Sequence, residues 1–334
     1  MLSPPRLKAG DEIRVLAISR SLGAVIQPGG FAESDVAFAT KRLESMGLTV
    51  SFGRHVREWN EHLTTSPRHR LEDLNEAMIS PSVKAILAVT GGMGALQIVD
   101  GIDYQEISAH PKIFCGYSDV GHVLNAILAR SGVTTYYGPN FTTFMMRNGA
   151  DYVLDHFKRC IFTDAPIEIE PADRWSEDAW HKDQENRNYH DADGYWAIHE
   201  GEAEGRIVGG NYWCLNMLQG SSCFPSLRET ILFLESPADG KATLMELDNS
   251  LRALSLQPEF SAVRALVLGR FGSRGGVTFQ NLSALIDQIP ALHQVPVIAN
   301  CDFGHTTPMF TLPIGGRCKV NASHHKASVM FTSH

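Results

Sequence analysis

The chain of 334 residues is 43% hydrophobic and 20% charged, enough for a sizeable core and, by length, for two domains. Its 37 acidic residues outnumber 29 basic ones, a net charge of −8 that gives no sequence-wide positive field for a nucleic-acid polymer or an anionic membrane surface. Apolar runs such as Val83–Val89 and Ala265–Gly269 fall far short of the roughly 20 residues of a membrane-spanning helix, and the first residues interrupt their apolar positions with Pro, Lys, Asp and Arg, so the expectation is a cytoplasmic protein with no membrane partner.

The first half alternates short apolar runs with helix-period stretches, the pattern of an α/β domain with a mostly parallel sheet. Strands are expected at Ile13–Ile18, Leu48–Phe52, Val83–Val89 and Ile113–Cys115, and helices at Ala32–Met46, Arg68–Ile79 and Val120–Ala129. Residues 168–204 then carry twelve acids against three bases, which accounts for the whole net charge. With Trp175, Trp180, Trp196, Tyr189 and Tyr195 and few aliphatics, this stretch reads as a long loop or insertion at the domain junction. Beyond it, strands are expected at Arg206–Val208, Ile231–Leu234, Ala265–Leu268 and Val295–Ala299, helices at Leu244–Leu254 and Phe279–Ile289, and a β-rich tail. The division is therefore residues 1–165, an acidic aromatic linker 166–205, and 206–334. Six cysteines form no CxxC pair, which fits reduced, mostly buried thiols. Most histidines, His55, His62, His69, His181, His190, His324, His325 and His334 among them, sit in polar surroundings and are expected at the surface.

Chemistry concentrates where strands end. Ile113-Phe114-Cys115-Gly116-Tyr117-Ser118-Asp119-Val120-Gly121 is an apolar strand, a tight turn and a helix start, close to the elbow that lifts a nucleophilic serine. It departs from G-x-S-x-G because the second glycine falls at +3, and Ser118 also satisfies the reading of an ordinary helix N-cap. A serine nucleophile needs a base, and the base an orienting carboxylate. His305, after Gly304 and before Thr306-Thr307-Pro308, and Glu235, closing the apolar run Ile231–Leu234, are the candidates. A structural loop histidine and a solvent-facing strand end are their bland alternatives. The order Ser118, Glu235, His305 is one known among serine hydrolases. The turn Thr90–Gly94 follows a third strand; its glycines suit a backbone N–H that approaches a developing oxyanion. As a dinucleotide fingerprint it lacks the third glycine and the acid about 20 residues on.

The motifs GGMGA, KIFCGYSDVGHVLNAI, YYGPN, EGRIVGGN, ILFLES and FGHTTP, in this order, resemble the LD-carboxypeptidase and microcin C immunity serine peptidases over nearly the whole chain. The resemblance implies a flavodoxin-like (class I glutamine amidotransferase-like) amino-terminal α/β domain, a smaller, swivelling β-rich carboxy-terminal domain, and a homodimer without metal or cofactor. It puts the nucleophile at Ser118, the orienting carboxylate at Glu235, the base at His305, and oxyanion N–H groups at Gly92 and Asp119. One branch of the family trims murein tetrapeptides in cell-wall recycling; the other cleaves a peptidyl- or aminoacyl-nucleotide amide. The tryptophan-containing stretch before EGRIVGGN resembles the second branch, which makes Trp175, Trp180 and Trp196 candidate nucleobase contacts, with Asn211 a further candidate substrate residue. Packing of the loop against its own domain or a dimer partner is the alternative for the tryptophans. Two departures stand out: after Glu235 the chain reads SPADGKATLMELDNSL where murein enzymes carry a Tyr-x-Ile-Asp-Arg-like stretch, and Met93 stands where an aromatic is more common.

Overall fold

The computed structural model describes residues 1–237, 240–323 and 326–334; the expectations for His324 and His325 lie outside the described residues. The amino-terminal part is built from β1 (Glu12–Leu16), α1 (Leu22–Val25), α2 (Glu33–Glu44), β2 (Thr49–Phe52), α3 (Pro67–Ile79), β3 (Val83–Ala88), α4 (Tyr104–Ala109), β4 (Ile113–Gly116), α5 (Gly121–Ser131), β5 (Thr135–Tyr137) and α6 (Asp151–Phe162). Each expected strand and helix of this half is present, displaced at its ends by a few residues. Strands β1 to β5 pair in parallel in the order 2-1-3-4-5, one of the common doubly wound orders. β3 and β4 are buried almost throughout because helices cover both faces of such a sheet. Burial along α5 runs unbroken from Gly121 to Leu128, so it is a central helix with no solvent stripe until its last turn, where Gly132 at φ 70° closes it.

After α6 come β6 (Ile167–Ile169), β7 (Arg174–Trp175), β8 (His190–Asp191), β9 (Trp196–His199) and β10 (Gly201–Asn211). Then follow α7 (Tyr212–Met217), β11 (Thr230–Glu235), α8 (Thr243–Ser255), β12 (Ala265–Gly269), α9 (Phe279–Ile286), β13 (Val297–Cys301), β14 (Leu312–Ile314), β15 (Arg317–Ser323) and β16 (Lys326–Ser333). Among the described residues a second sheet runs β6-β16-β15-β10-β11-β12-β13-β9, with β10 to β13 parallel. β14 instead pairs antiparallel with β5, so the chain returns to the first sheet near its end.

The linker expected at 166–205 is therefore corrected. It supplies both edge strands of the second sheet, β6 and β9, and β10 begins before residue 206. Both edge strands are short and lie among acidic residues, so the stretch as a whole resembles a loop. The stretch between them is held by partners: Asp178 receives the Arg187 guanidinium at 2.9 Å, and Asp302 takes the Ala172 N–H at 2.9 Å and the Tyr195 hydroxyl at 3.1 Å. Asp302 is wholly buried against Arg270 at 2.7 Å, and burial raises its carboxyl above the ordinary range. All six cysteines are free and buried, as expected. His334 is buried, not exposed: its ring lies 3.2 Å from the Cys160 carbonyl and 3.1 Å from that of Ala165.

Candidate active site

Three strand ends meet between the two sheets. β4 delivers Ser118, β11 ends in Glu235, and the loop after β13 carries His305. Ser118 has φ +64°, a left-handed conformation that costs a side-chain-bearing residue about 1–3 kcal/mol and that the turn before α5 imposes. The His305 imidazole joins the other two: Nε2 lies 3.0 Å from Ser118 Oγ and Nδ1 lies 2.7 Å from Glu235 Oε2. Glu235 is 1% exposed, so its charge depends on these partners. Two glycines permit the approach. A Cβ on Gly304, at φ +104°, would stand 2.6 Å from Glu235 Oε2; one on Gly91 would stand 2.7 Å from Ser118 Cβ. The Tyr117 ring meets His305 edge-on at 5.4 Å.

Tyr137, at the end of β5, was assigned no role from the sequence. Its hydroxyl donates to Glu235 Oε1 and accepts the Ser118 backbone N–H at 2.9 Å. Burial, reinforced by the Glu235 charge, pushes this phenol far above its usual range, so it remains a donor. It is a positioning residue: one oxygen of Glu235 faces His305, the other is occupied by Tyr137. Gly210 lets the ring in, since a Cβ there would lie 2.7 Å from Cδ2. Tyr137→Phe leaves Glu235 Oε1 and the Ser118 N–H without this partner, and the cost of about 1–3 kcal/mol for such groups predicts a tenfold to hundredfold lower kcat. KM should change little, and steady-state kinetics on a folded variant reads the split.

Asp119 does two things at once. Its backbone follows Ser118 at the start of the helix, while its buried carboxylate takes the Ala95 N–H at 2.8 Å and the Ser19 hydroxyl and lies 3.2 Å from His122 Nδ1. Burial alone would raise this carboxyl; the bonds from His122, Ser19 and Ala95 bring it below the usual range. It thereby ties the glycine turn to the serine turn. Arg70, fully buried on α3, holds the same turn through the Gly94 carbonyl at 2.8 Å.

Cavities flank Ser118 and His305. The larger, of about 650 Å³, is lined by Gly92, Ser118, Asp119 and Asn211 and by the apolar side chains of Met93, Leu96, Trp213 and Met217. The smaller, of about 110 Å³, lies between Tyr117, His305 and Trp180. A backbone pair, Ser176 N–H to the Thr307 carbonyl at 2.7 Å and Thr307 N–H to the Ser176 carbonyl at 2.8 Å, fastens the acidic segment to the His305 loop. That bridge brings Trp180 beside the site. The other two tryptophans are corrected: Trp175 lies against His190 and beneath Arg270, and Trp196 packs on Phe279 within β9, so neither lines these cavities. Asn211 ends β10 opposite Glu235, and its Oδ1 caps α7 by accepting from Trp213 N–H at 2.9 Å. Sequence reasoning also passed over Trp213 and Met217, which that cap places at the cavity wall.

Asp119, His122 and Cys214 offer donor atoms within 4.8 Å of one another, but the Asp119 oxygens are engaged as described and burial pushes the Cys214 thiol well up, away from the thiolate a metal requires.

This geometry accompanies a match to two family models. The LD-carboxypeptidase N-terminal domain matches residues 13–138 and the LD-carboxypeptidase C-terminal domain residues 204–320. The chain belongs to the LD-carboxypeptidase family. A putative carboxypeptidase of Bacillus subtilis, YocD, is 39% identical across 98% of this chain and 99% of its own length. The microcin C7 self-immunity protein MccF of Escherichia coli is 26% identical across 86% of this chain and 85% of its own. An MccF-like protein from Bacillus anthracis, 40% identical, superposes over the whole of both chains with a TM-score of 0.96. The two-domain α/β architecture is thus that of the MccF-like structures, and the relatives are named as carboxypeptidases, most of them putative, and as an immunity protein. Among the described residues no helix is long and apolar enough to cross a membrane.

Proposed function

We propose that the chain is a serine-type amide hydrolase that cleaves a peptidyl- or aminoacyl-nucleotide of the microcin C kind and so confers immunity or detoxification. The observation that carries the chemistry is the unbroken line from Ser118 Oγ through His305 to Glu235. Ser118 Oγ attacks the amide carbonyl as His305 Nε2 takes its proton; Glu235 holds Nδ1–H and stabilises the imidazolium. The N–H groups of Gly92 and Asp119, whose residues line the same cavity as Ser118, face the developing oxyanion. His305 then returns the proton to the leaving amine, and water hydrolyses the ester on Ser118. No step requires a metal or cofactor.

The choice of substrate rests on what surrounds the triad. The large cavity is walled by Met93, Trp213 and Met217, and Trp180 flanks His305 on the other side, so aromatic and apolar surfaces are available to a nucleobase. MccF has been solved with aspartyl sulfamoyl adenosine, and the E. coli protein is named for self-immunity. The 2-1-3-4-5 sheet order supports the flavodoxin-like reading of the first domain, and the resemblance supports a homodimer. The test is to incubate the protein with an aminoacyl-sulfamoyl-adenosine and with a murein tetrapeptide and to identify products by mass spectrometry. Cleavage of the adenosine compound is expected, with Trp180→Ala raising its KM about tenfold, a ring contact of about 1–2 kcal/mol. Release of the terminal D-residue from the tetrapeptide alone, indifferent to Trp180→Ala, would make it a murein carboxypeptidase, the activity named for a Bacillus subtilis relative that is 26% identical.

A further inference from the structure

Away from the triad, the loop that follows β2 meets α3 in a cluster of imidazoles and carboxylates. Glu58 engages two rings at once, one oxygen 2.8 Å from His55 Nδ1 and the other 2.6 Å from His69 Nδ1. The rings stack nearly parallel, their centroids 4.0 Å apart and their planes 20° from one another. Two histidines expected at the surface are in fact drawn together, and the His55 side chain is 12% exposed. Asp73 fixes the loop beneath them by accepting the His55 backbone N–H at 3.0 Å.

With each Nδ1–H directed at Glu58, the lone pair of a neutral ring lies on Nε2. His55 Nε2 is buried and has no hydrogen-bond partner, yet it stands 3.4 Å from Glu72 Oε2. A lone pair facing a carboxylate is repulsive unless a proton or a metal cation lies between them, and the convergence of a second imidazole on the same carboxylate favours the metal. Arg68 occupies the other Glu72 oxygen at 2.7 Å and leaves Oε2 toward the rings. One donor atom from each of His55, His69 and Glu72 lies within 4.8 Å of the others, within reach of a common ion by small side-chain adjustment. We infer that His55, His69 and Glu72 form a binding site for a divalent transition-metal ion of the zinc type, with Glu58 orienting both imidazoles.

The donor set selects the ion. Two imidazoles with one carboxylate suit zinc and its neighbours, whereas magnesium and calcium take oxygen ligands. A carboxylate on the far nitrogen of each metal-bound imidazole is the usual outer support, and here one glutamate serves two rings. The ion would clamp the loop to α3. That loop continues into Glu61–Leu63, which line the large cavity, and α3 carries Arg70, which holds the glycine turn. The site therefore braces one rim of the catalytic cavity without touching the triad.

The test is calorimetric titration of the chelator-stripped full chain with ZnCl2, alongside visible absorption with CoCl2. One saturable ion per chain is expected, with cobalt ligand-field bands of a nitrogen and oxygen site. His69→Gln and Glu72→Gln should each weaken binding at least tenfold, and Glu58→Gln by about 10–100-fold, as loss of an outer support does. Circular dichroism checks that each variant is folded. Ring NMR signals of His55 and His69 in the wild-type chain give an independent reading and should shift on zinc addition. Absence of saturable binding, unchanged binding by folded His69→Gln, or zinc-induced shifts confined to other histidines would overturn the proposal.

Discussion

Ser118→Ala is expected to lower amide hydrolysis by about three to six orders of magnitude while leaving the fold and substrate affinity in place. The side chain lost is one oxygen, and alanine keeps the Cβ that already sits at φ +64°, so the strained turn is not relieved. The loss is that of the attacking group. Because His305 takes the proton of that oxygen and passes it to the leaving amine, the two residues act as one unit, so His305→Ala should cost a similar amount and the double variant should be no worse than either single one. Rates measured for the three variants under saturating substrate, with binding measured separately, check this. Additive losses would mean that the two residues act in different steps.

Glu235→Gln is expected to be nearly as damaging, at about four orders of magnitude in kcat. Glu235 is buried and holds His305 Nδ1 at 2.7 Å, so it selects the tautomer that leaves Nε2 free for the serine proton. An amide can present its NH2 to Nδ1, reverse that tautomer, and put an N–H where the base must be. The charge that stabilises the imidazolium is also removed. Tyr137 sharpens the effect, since it donates to the other carboxylate oxygen and would meet either the amide oxygen or a second donor. Steady-state kinetics should show the fall in kcat with KM nearly unchanged. A loss below tenfold would indicate that the carboxylate merely fills space.

Much of this was legible in the sequence for physical reasons. Parallel strands buried on both faces read as apolar runs, and Val83–Ala88, Ile113–Gly116, Thr230–Glu235 and Ala265–Gly269 were visible for that reason. Ser118 was marked by the strand, turn and helix around it. Glu235 was marked by the anomaly of a carboxylate ending an apolar strand, and His305 by the constrained loop. What escaped depends on tertiary contact. Tyr137 lies on a three-residue strand, and its role arises only because β5 of one sheet faces the end of β11 in the other. The three tryptophans could not be ranked, because only the Ser176 and Thr307 bridge puts Trp180 beside His305 while Arg270 and Phe279 take the other two. β6 and β9 are three and four residues long, too short to stand out from the acidic stretch around them. α6 was overlooked despite its buried stripe of Val153, His156, Phe157, Cys160 and Ile161, because His156 interrupts the apolar pattern in the sequence.

The stacked histidines show the same limit from another side. His55 and His69 stand fourteen positions apart, in stretches full of charge, and only the turn of the loop onto α3 brings both rings to Glu58. Polar surroundings in sequence do not imply exposure in space. His334 makes the point independently, with its ring among backbone carbonyls in the interior.

The central claim is that an oxygen of this chain, Ser118 Oγ, becomes bonded to the acyl part of the substrate. Rapid-quench mixing of enzyme with excess aminoacyl-sulfamoyl-adenosine, followed by peptide mass spectrometry, measures this directly. The account predicts a mass increment equal to the aminoacyl group on the peptide containing Ser118, rising within the first turnover and absent from His305→Ala. Turnover of the same compound by Ser118→Ala at the wild-type rate, with no acyl group on that peptide in either protein, would contradict it.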